Sequence, residues 1–158
     1  MRNAQTMRAK DAIRGSAAEC FVTIEKKRYN FMSLISFEAK IEKEKTEIAI
    51  LGRTMKGNKA SGSKGTWEAK GHYNNSIMRE VLKRFKDTGE DLYFEIQVTN
   101  DDPTSAAGRQ TTVLLDCNLD GGIIAKFDAE AEYLEDEFSG TFDDYEMPET
   151  FKLLDGMM

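Results

Sequence analysis

The residues whose types and spacing come nearest to a chemical motif are 57–67, "GNKASGSKGTW", with three glycines and two lysines. A phosphate-binding loop needs G-x-x-x-x-G-K-[ST], because consecutive backbone N–H groups wrap the phosphates and the lysine follows directly. Gly57 and Gly62 have that spacing, but Ser63 comes next and Lys64 arrives one position late. Such a loop also opens a helix, whereas "TWEAKGHY" alternates polar and apolar residues. The stretch therefore reads as a long, basic, flexible loop, residues 51–66, made for something other than a nucleotide. Other chemistries fare no better. With the single histidine His72 no Ser/His/Asp set can be assembled, and no zinc ligand set forms around it. Carboxylates are dense over residues 130–149, but nothing in the sequence singles out one as perturbed. Cys20 and Cys117 make neither a disulfide framework nor a metal site, and Cys117, in "TTVLLDCNL", reads as a small core residue. No catalytic group, cofactor or metal is expected, and the chain reads as a non-enzyme.

Composition fits that reading. A chain of 158 residues is one domain by default, with 40% hydrophobic residues and no apolar run of membrane-helix length. The first residues lack the apolar stretch of a secretory signal. The net charge of −6 hides an asymmetry: residues 1–79 carry +8 and residues 80–158 carry −14. The acidic excess argues against nucleic-acid binding by the whole surface. A basic patch on one copy meeting an acidic patch on the next would use both halves, and a plain solvated face is the simpler alternative.

Residues 1–19 read as an N-terminal arm and residues 20–158 as a single domain. "CFVTIE" reads as a strand and "KKRYN" as the turn after it. In residues 31–50, Phe37, Ala39 and Ile41 alternate with Glu38, Lys40 and Glu42, which predicts a strand rather than a helix. Ile48 and Ile50 then carry the apolar parity, so a bulge is expected near residues 43–45. Trp67, Ala69 and Tyr73 against Glu68, Lys70 and His72 predict a second strand with His72 on its polar side. "NNSIMREVLKRFKDTGE" is the clearest helix: Ile77, Met78, Val81, Leu82 and Phe85 form one stripe, Asn75 or Ser76 can cap it, and Gly89 can end it. "DLYFEIQV" predicts a strand and "NDDPTSAAGRQ" a polar surface loop. "TTVLLDCNL" and "GIIAKF" read as strands joined by the turn "DGG", and "EYLEDEFSGTFDDY" as a final hairpin or one bent strand. The expected fold is mainly β: an antiparallel sandwich or barrel of about seven strands with one flanking α-helix.

This order of parts, and above all "FEAKIEKEKTEIAILGRTMKG" and "FDDYEMPE", resembles the tail tube protein of contractile-tailed phages and phage-like prophage elements of Gram-positive bacteria. The similarity runs from about residue 15 to residue 151. It implies a β-barrel-like subunit, six copies of which close into a ring with a continuous β-barrel as inner wall. Rings stack into a hollow tube inside a contractile sheath, the conduit for DNA ejection through the host envelope. Implied partners are further copies of the chain, the tail sheath protein, baseplate or tail-initiator and tail-terminator proteins, and DNA passing without sequence-specific binding. No membrane anchor is implied. The implied location is the virion tail, assembled in the bacterial cytoplasm. On this resemblance Glu38, Lys40, Glu42, Glu68, Lys70 and His72 become candidates to face the lumen. Arg53, Lys56, Lys59 and Lys64 become candidates for an inter-ring stacking loop, with residues 51–66 expected to be disordered in the free subunit and ordered in the tube. A phage-tail-like bacteriocin, a secretion apparatus and a monomeric β-sandwich binding module remain alternatives.

Overall fold

A computed structural model of the chain describes residues 6–158. The expected arm lies partly outside them. The chain forms two compact units: one built from the residues up to Met32 with Phe94–Leu115 and Tyr145–Met158, the other from Ser33–Tyr93 and Asp116–Asp144.

In the first unit, β1 (Ala18–Ile24) pairs antiparallel with both β2 (Lys27–Asn30) and β5 (Phe94–Asp101). β5 neighbours β6 (Arg109–Gly122), which runs on into the second unit, and β8 (Asp144–Glu149) also pairs with β6. Val22 and Ile96 face each other in the register, each 1% exposed, and Phe94, Leu114 and Ile24 are buried with them. "KKRYN" is therefore mostly strand, not turn. The reversal falls earlier, at Glu25 and Lys26, whose φ values of 49° and 68° give the twist that a two-residue hairpin needs. Neither is the Gly or Asn that normally announces such a turn, so the sequence did not mark it.

The "polar surface loop" has a buried anchor. Asp102 is 1% exposed. It accepts from the Thr104 hydroxyl at 2.7 Å, from the Thr104 N–H at 2.9 Å and from the Arg14 N–H at 2.9 Å. Those donors, the Thr104 hydroxyl foremost, hold its carboxyl down at about 2. Ser105 Oγ adds a bond to Asp11 O at 2.8 Å, so residues 11–14 are fastened to this loop. Because the folded pKa lies below the ordinary carboxylate value of about 3.9, the stabilisation is complete above that value and is lost as pH falls toward 2. Hydrogen exchange at residues 11–14 and 102–105 should accelerate over that window, and Asp102→Asn should remove the pH dependence.

In the second unit the order is β6–β7–β4–β3, with β3 (Leu34–Ile48), β4 (Gly57–His72) and β7 (Glu135–Phe142) all antiparallel. The strand reading of residues 31–50 holds. The irregularity lies between Glu44 and Lys45, as expected, although the extra residue is Ser61 on β4. Ser61 Oγ donates to Glu44 O there at 3.2 Å. Trp67 anchors the apolar face. It is 2% exposed, stacks on Phe37 at 6.1 Å and 15°, meets Phe138 edge-on, and donates from Nε1 to Thr141 O at 3.1 Å. β6 runs straight through "DGG" with a register shift between Leu119 and Gly121. "GIIAKF" beyond it is not a strand, so glycines read as a turn are a bulge. Nor is the acidic close a hairpin: β7 pairs with β4 and β6, whereas β8 pairs with β6. The count is eight strands rather than about seven among the described residues.

Helix α1 (Ile77–Thr88) ends at Gly89 as predicted, and its N-cap is Ser76, whose side chain makes no capping bond. Asn75 Oδ1 accepts from the Ile77 N–H at 3.4 Å, and Gly89, with φ 72°, donates its N–H to Phe85 O at 2.8 Å. Met78 is buried and Val81 and Leu82 half-buried, but Phe85 at the stripe's end is 53% exposed. The helix is fastened by Arg79. Its Nη1 donates to Asp136 Oδ2 at 2.7 Å, its Nη2 to Asn75 O, and its guanidinium lies 4.2 Å from the centre of the Tyr73 ring. Both partners are little exposed, 15% and 7%. Truncating one leaves a buried charge uncompensated, so Arg79→Ala should cost about 3–5 kcal/mol. The double variant Arg79→Met with Asp136→Leu should recover most of it, as read by urea unfolding.

Candidate functional site

Antiparallel pairing places directly opposed residues on one face, and alternate residues along a strand share it. The register can therefore be followed across three strands. Glu38 opposes Glu68, which opposes Ser139. Ser36 opposes Lys70, which opposes Glu137. Lys40 opposes Thr66, Glu42 opposes Lys64, and His72 opposes Glu135. Glu38, Lys40, Glu42, Glu68, Lys70 and His72 thus share one face of β3 and β4, and all are exposed. The other face carries Phe37, Trp67, Ala69 and Phe138. One signal was missed by the sequence reading: β7 extends the polar face with Glu135, Glu137 and Ser139. The period-two alternation of "EDEFSG" could have shown it.

The polar face is more acid than base, with Glu38, Glu42, Glu68, Glu135 and Glu137 against Lys40, Lys64 and Lys70. Lys40 pairs with Glu38 at 3.3 Å and Lys70 with Glu137 at 3.3 Å. Glu38 and Glu68, like charges directly opposed, are the kind of pair that a fold selected only for stability avoids. Over this face lie two hollows of about 560 and 250 Å³, lined among others by Glu38, Glu68, Lys70, Glu137 and Ser139. Among the described residues no group of His, Cys, Asp or Glu is arranged to hold a metal. Cys117 is fully buried, and burial pushes the Cys20 thiol up to about 12.

The basic stretch needs a correction. Residues 57–66 are not a loop. They are the first part of β4, paired with β3 from Gly57↔Ile48 onward, so their backbone cannot cradle a phosphate. Glycine is uncommon in strands, but here it makes room. A Cβ on Gly65 would lie 2.5 Å from the Phe142 ring, and one on Gly57 2.9 Å from Ile50 Cδ1. The turn is confined to residues 49–56, where Gly52 takes φ 81° and the Arg53 N–H donates to Ile50 O at 3.2 Å. Of the four stacking candidates, Arg53 and Lys56 are in this turn, and Lys59 and Lys64 are on β4 opposite Thr46 and Glu42. Lys56 pairs with Glu47 at 3.8 Å.

This hairpin outreaches its sheet. β7 accompanies β4 only from Gly65 to His72. Beyond that, Glu42–Ile48 and Gly57–Lys64 form a two-stranded ribbon, which at about 3.3 Å per residue projects about 23 Å. All its residues but Gly57 are exposed. β3 is also the last strand in the sheet order, so its outer edge has no neighbouring strand among the described residues. A long open edge templates pairing with another chain. Among the described residues no helix is long and apolar enough to cross a membrane.

The sequence profile of the phage tail tube protein family matches residues 5–149. The phage-like element PBSX protein XkdM of Bacillus subtilis is 34% identical over 143 residues, covering 90% of this chain and 95% of its own. Two solved assemblies contain chains of the same fold at 10% identity. One is the sixfold-symmetrised baseplate of the anti-feeding prophage, with TM-score 0.64 over 82% of this chain and 91% of that one. The other is the sheath–tube complex of an extracellular contractile injection system, with TM-score 0.62 over 81% and 86%. A profile spanning nearly the whole chain and a prophage relative over the same span show that this protein belongs to the phage tail tube protein family, as a structural tube subunit.

Proposed function

We propose that six copies close into a ring, that rings stack into a tube within a contractile sheath, and that the polar face of β3, β4 and β7 lines the bore. The observation that carries this is the register: charged residues from three strands share one hollowed face, and the adjacent edge strand is open. Main-chain pairing of the β3 edge with a neighbouring copy would continue the sheet around the ring. Glu38, Glu42, Glu68, Glu135 and Glu137 outnumber the lysines, so the bore repels phosphates weakly and DNA slides through without being held. The role is structural and non-enzymatic. Baseplate, terminator and sheath proteins contact the tube's ends and outside, and the tube belongs to a virion tail assembled in the bacterial cytoplasm.

Electron microscopy of the purified chain at rising concentration tests the assembly. Sixfold hollow tubes are expected, and a different symmetry or a monomer in the presence of tail-initiator proteins contradicts it. The fold shared with contractile injection systems favours a second reading, the tube of an injection particle without a genome. Nuclease-protected DNA in particles carrying this chain separates the two.

A further inference from the structure

The two ends of the second unit carry complementary surfaces. At one end, the hairpin turn exposes Leu51 (102%) and Met55 (74%) beside Arg53 and Lys56. Over residues 42–64 the ribbon has six cations against three carboxylates. At the other end, residues 123–134 join β6 to β7. They expose Ile124 (65%), Phe127 (91%) and Tyr133 (79%) among three carboxylates, Asp128, Glu130 and Glu132, against the one cation Lys126, which bonds Glu135 O. The pairing of Glu135 with His72 puts this segment at the end of β4 opposite the turn. Exposed large apolar side chains grouped this way mark contact surfaces, and here one is rimmed by base and the other by acid.

We infer that the hairpin tip of one copy docks on residues 124–133 of a second copy in the next ring. Leu51 and Met55 cover Phe127 and Tyr133, while Arg53 and Lys56 face Asp128 and Glu130. The contact uses different patches on the two copies, so it repeats head-to-tail along the strand direction and does not close on itself. That is the geometry stacking requires. The inference rests on the tube reading and names the surface that receives the arm.

The test joins two measurements on tubes. In a chain carrying Leu51→Cys and Phe127→Cys, mild oxidation of assembled tubes should give a ladder of disulfide-linked chains on a denaturing gel. Neither single variant should give one beyond the background from Cys20. In parallel, Arg53→Glu with Lys56→Glu should cut tube yield at least tenfold, and adding Asp128→Lys with Glu130→Lys should restore it to near the wild-type level. Tubes that form without the ladder, or a charge swap that fails to rescue, overturn the docking surface and leave these residues to the sheath or to solvent. If the wild-type chain forms no tubes even on its initiator, the tube reading itself falls.

Discussion

Replacing Gly140 with alanine should be the most damaging small change in the molecule. Gly140 opposes Trp67 on β4 and Leu119 on β6. A Cβ there would lie 1.8 Å from Asn118 O and 3.0 Å from the Trp67 ring. The first contact is with backbone, so no rotamer change relieves it. Either β6 and β7 separate or Trp67 leaves its place between Phe37 and Phe138. Overpacking of this kind costs about 1–3 kcal/mol, and each lost ladder bond adds about 1 kcal/mol. A total of about 4 kcal/mol lowers the melting temperature of a chain this size by about 8–16 °C. Gly62→Ala is the control: its Cβ would meet only Glu44 Oε2, at 4.0 Å, so a small shift is expected. Calorimetry of the two variants checks the contrast, and an unshifted Gly140→Ala would mean that β6 and β7 are not paired as described.

The second large effect is on assembly. Reversing Lys56, Lys59 and Lys64 to glutamate should abolish tubes while leaving the subunit folded. Each exposed pair contributes only about 0.2–1 kcal/mol, so a single reversal should pass almost unnoticed. On the proposed docking of the arm, Lys56 lies in the turn that meets the next ring and Lys59 and Lys64 on the ribbon behind it, so three reversals per copy, repeated six times around a ring, turn the arm's field from attractive to repulsive, and the sum reaches several kcal/mol if the pairs add. The register adds a local cost. A glutamate in place of Lys64 would oppose Glu42, and one in place of Lys56 would face Glu47 where a 3.8 Å pair now lies. That frays the ribbon but not the core, because every ribbon residue except Gly57 is exposed. The melting temperature should hold within about 2 °C. Added salt should weaken wild-type assembly modestly, since the Debye length falls from about 10 Å at 0.1 M to about 3 Å at 1 M. Normal tubes from the triple variant at low salt would show that apolar contact and strand pairing hold the rings.

Much of this was legible in the sequence where one physical signal acted alone. The alternation of Phe37, Ala39 and Ile41 against Glu38, Lys40 and Glu42 is a burial pattern, and it marked both the strand and its polar face. The helix was marked at both ends by Asn75 and Gly89. Two of the errors share one cause, the reading of glycine as punctuation. Gly57, Gly62 and Gly65 looked like a flexible loop, yet Gly65 lies in a strand because the Phe142 ring fills the space of its missing Cβ. Gly121 and Gly122 looked like a turn and lie in a continuous, bulged β6. The converse error fell at Glu25 and Lys26, which turn the chain with positive φ and without glycine. Close approach of a distant ring, or a turn held by the strands on either side, is a tertiary fact that residue types do not encode. The flexible loop expected over residues 51–66 shrinks to a turn for the same reason, because β4 already begins at Gly57. The anchoring of Asp102 was also invisible, because Arg14 is 88 positions away.

The face shared by Glu38, Lys40, Glu68, Lys70 and Glu137 is proposed to line the bore of a sixfold tube. A helical reconstruction of assembled tubes at side-chain resolution measures this directly. We expect β3, β4 and β7 to form the inner wall, with those side chains projecting toward the axis and the Trp67 side packed outward against α1. A tube in which that face contacts the sheath, or is buried between subunits with the helix toward the axis, would contradict it.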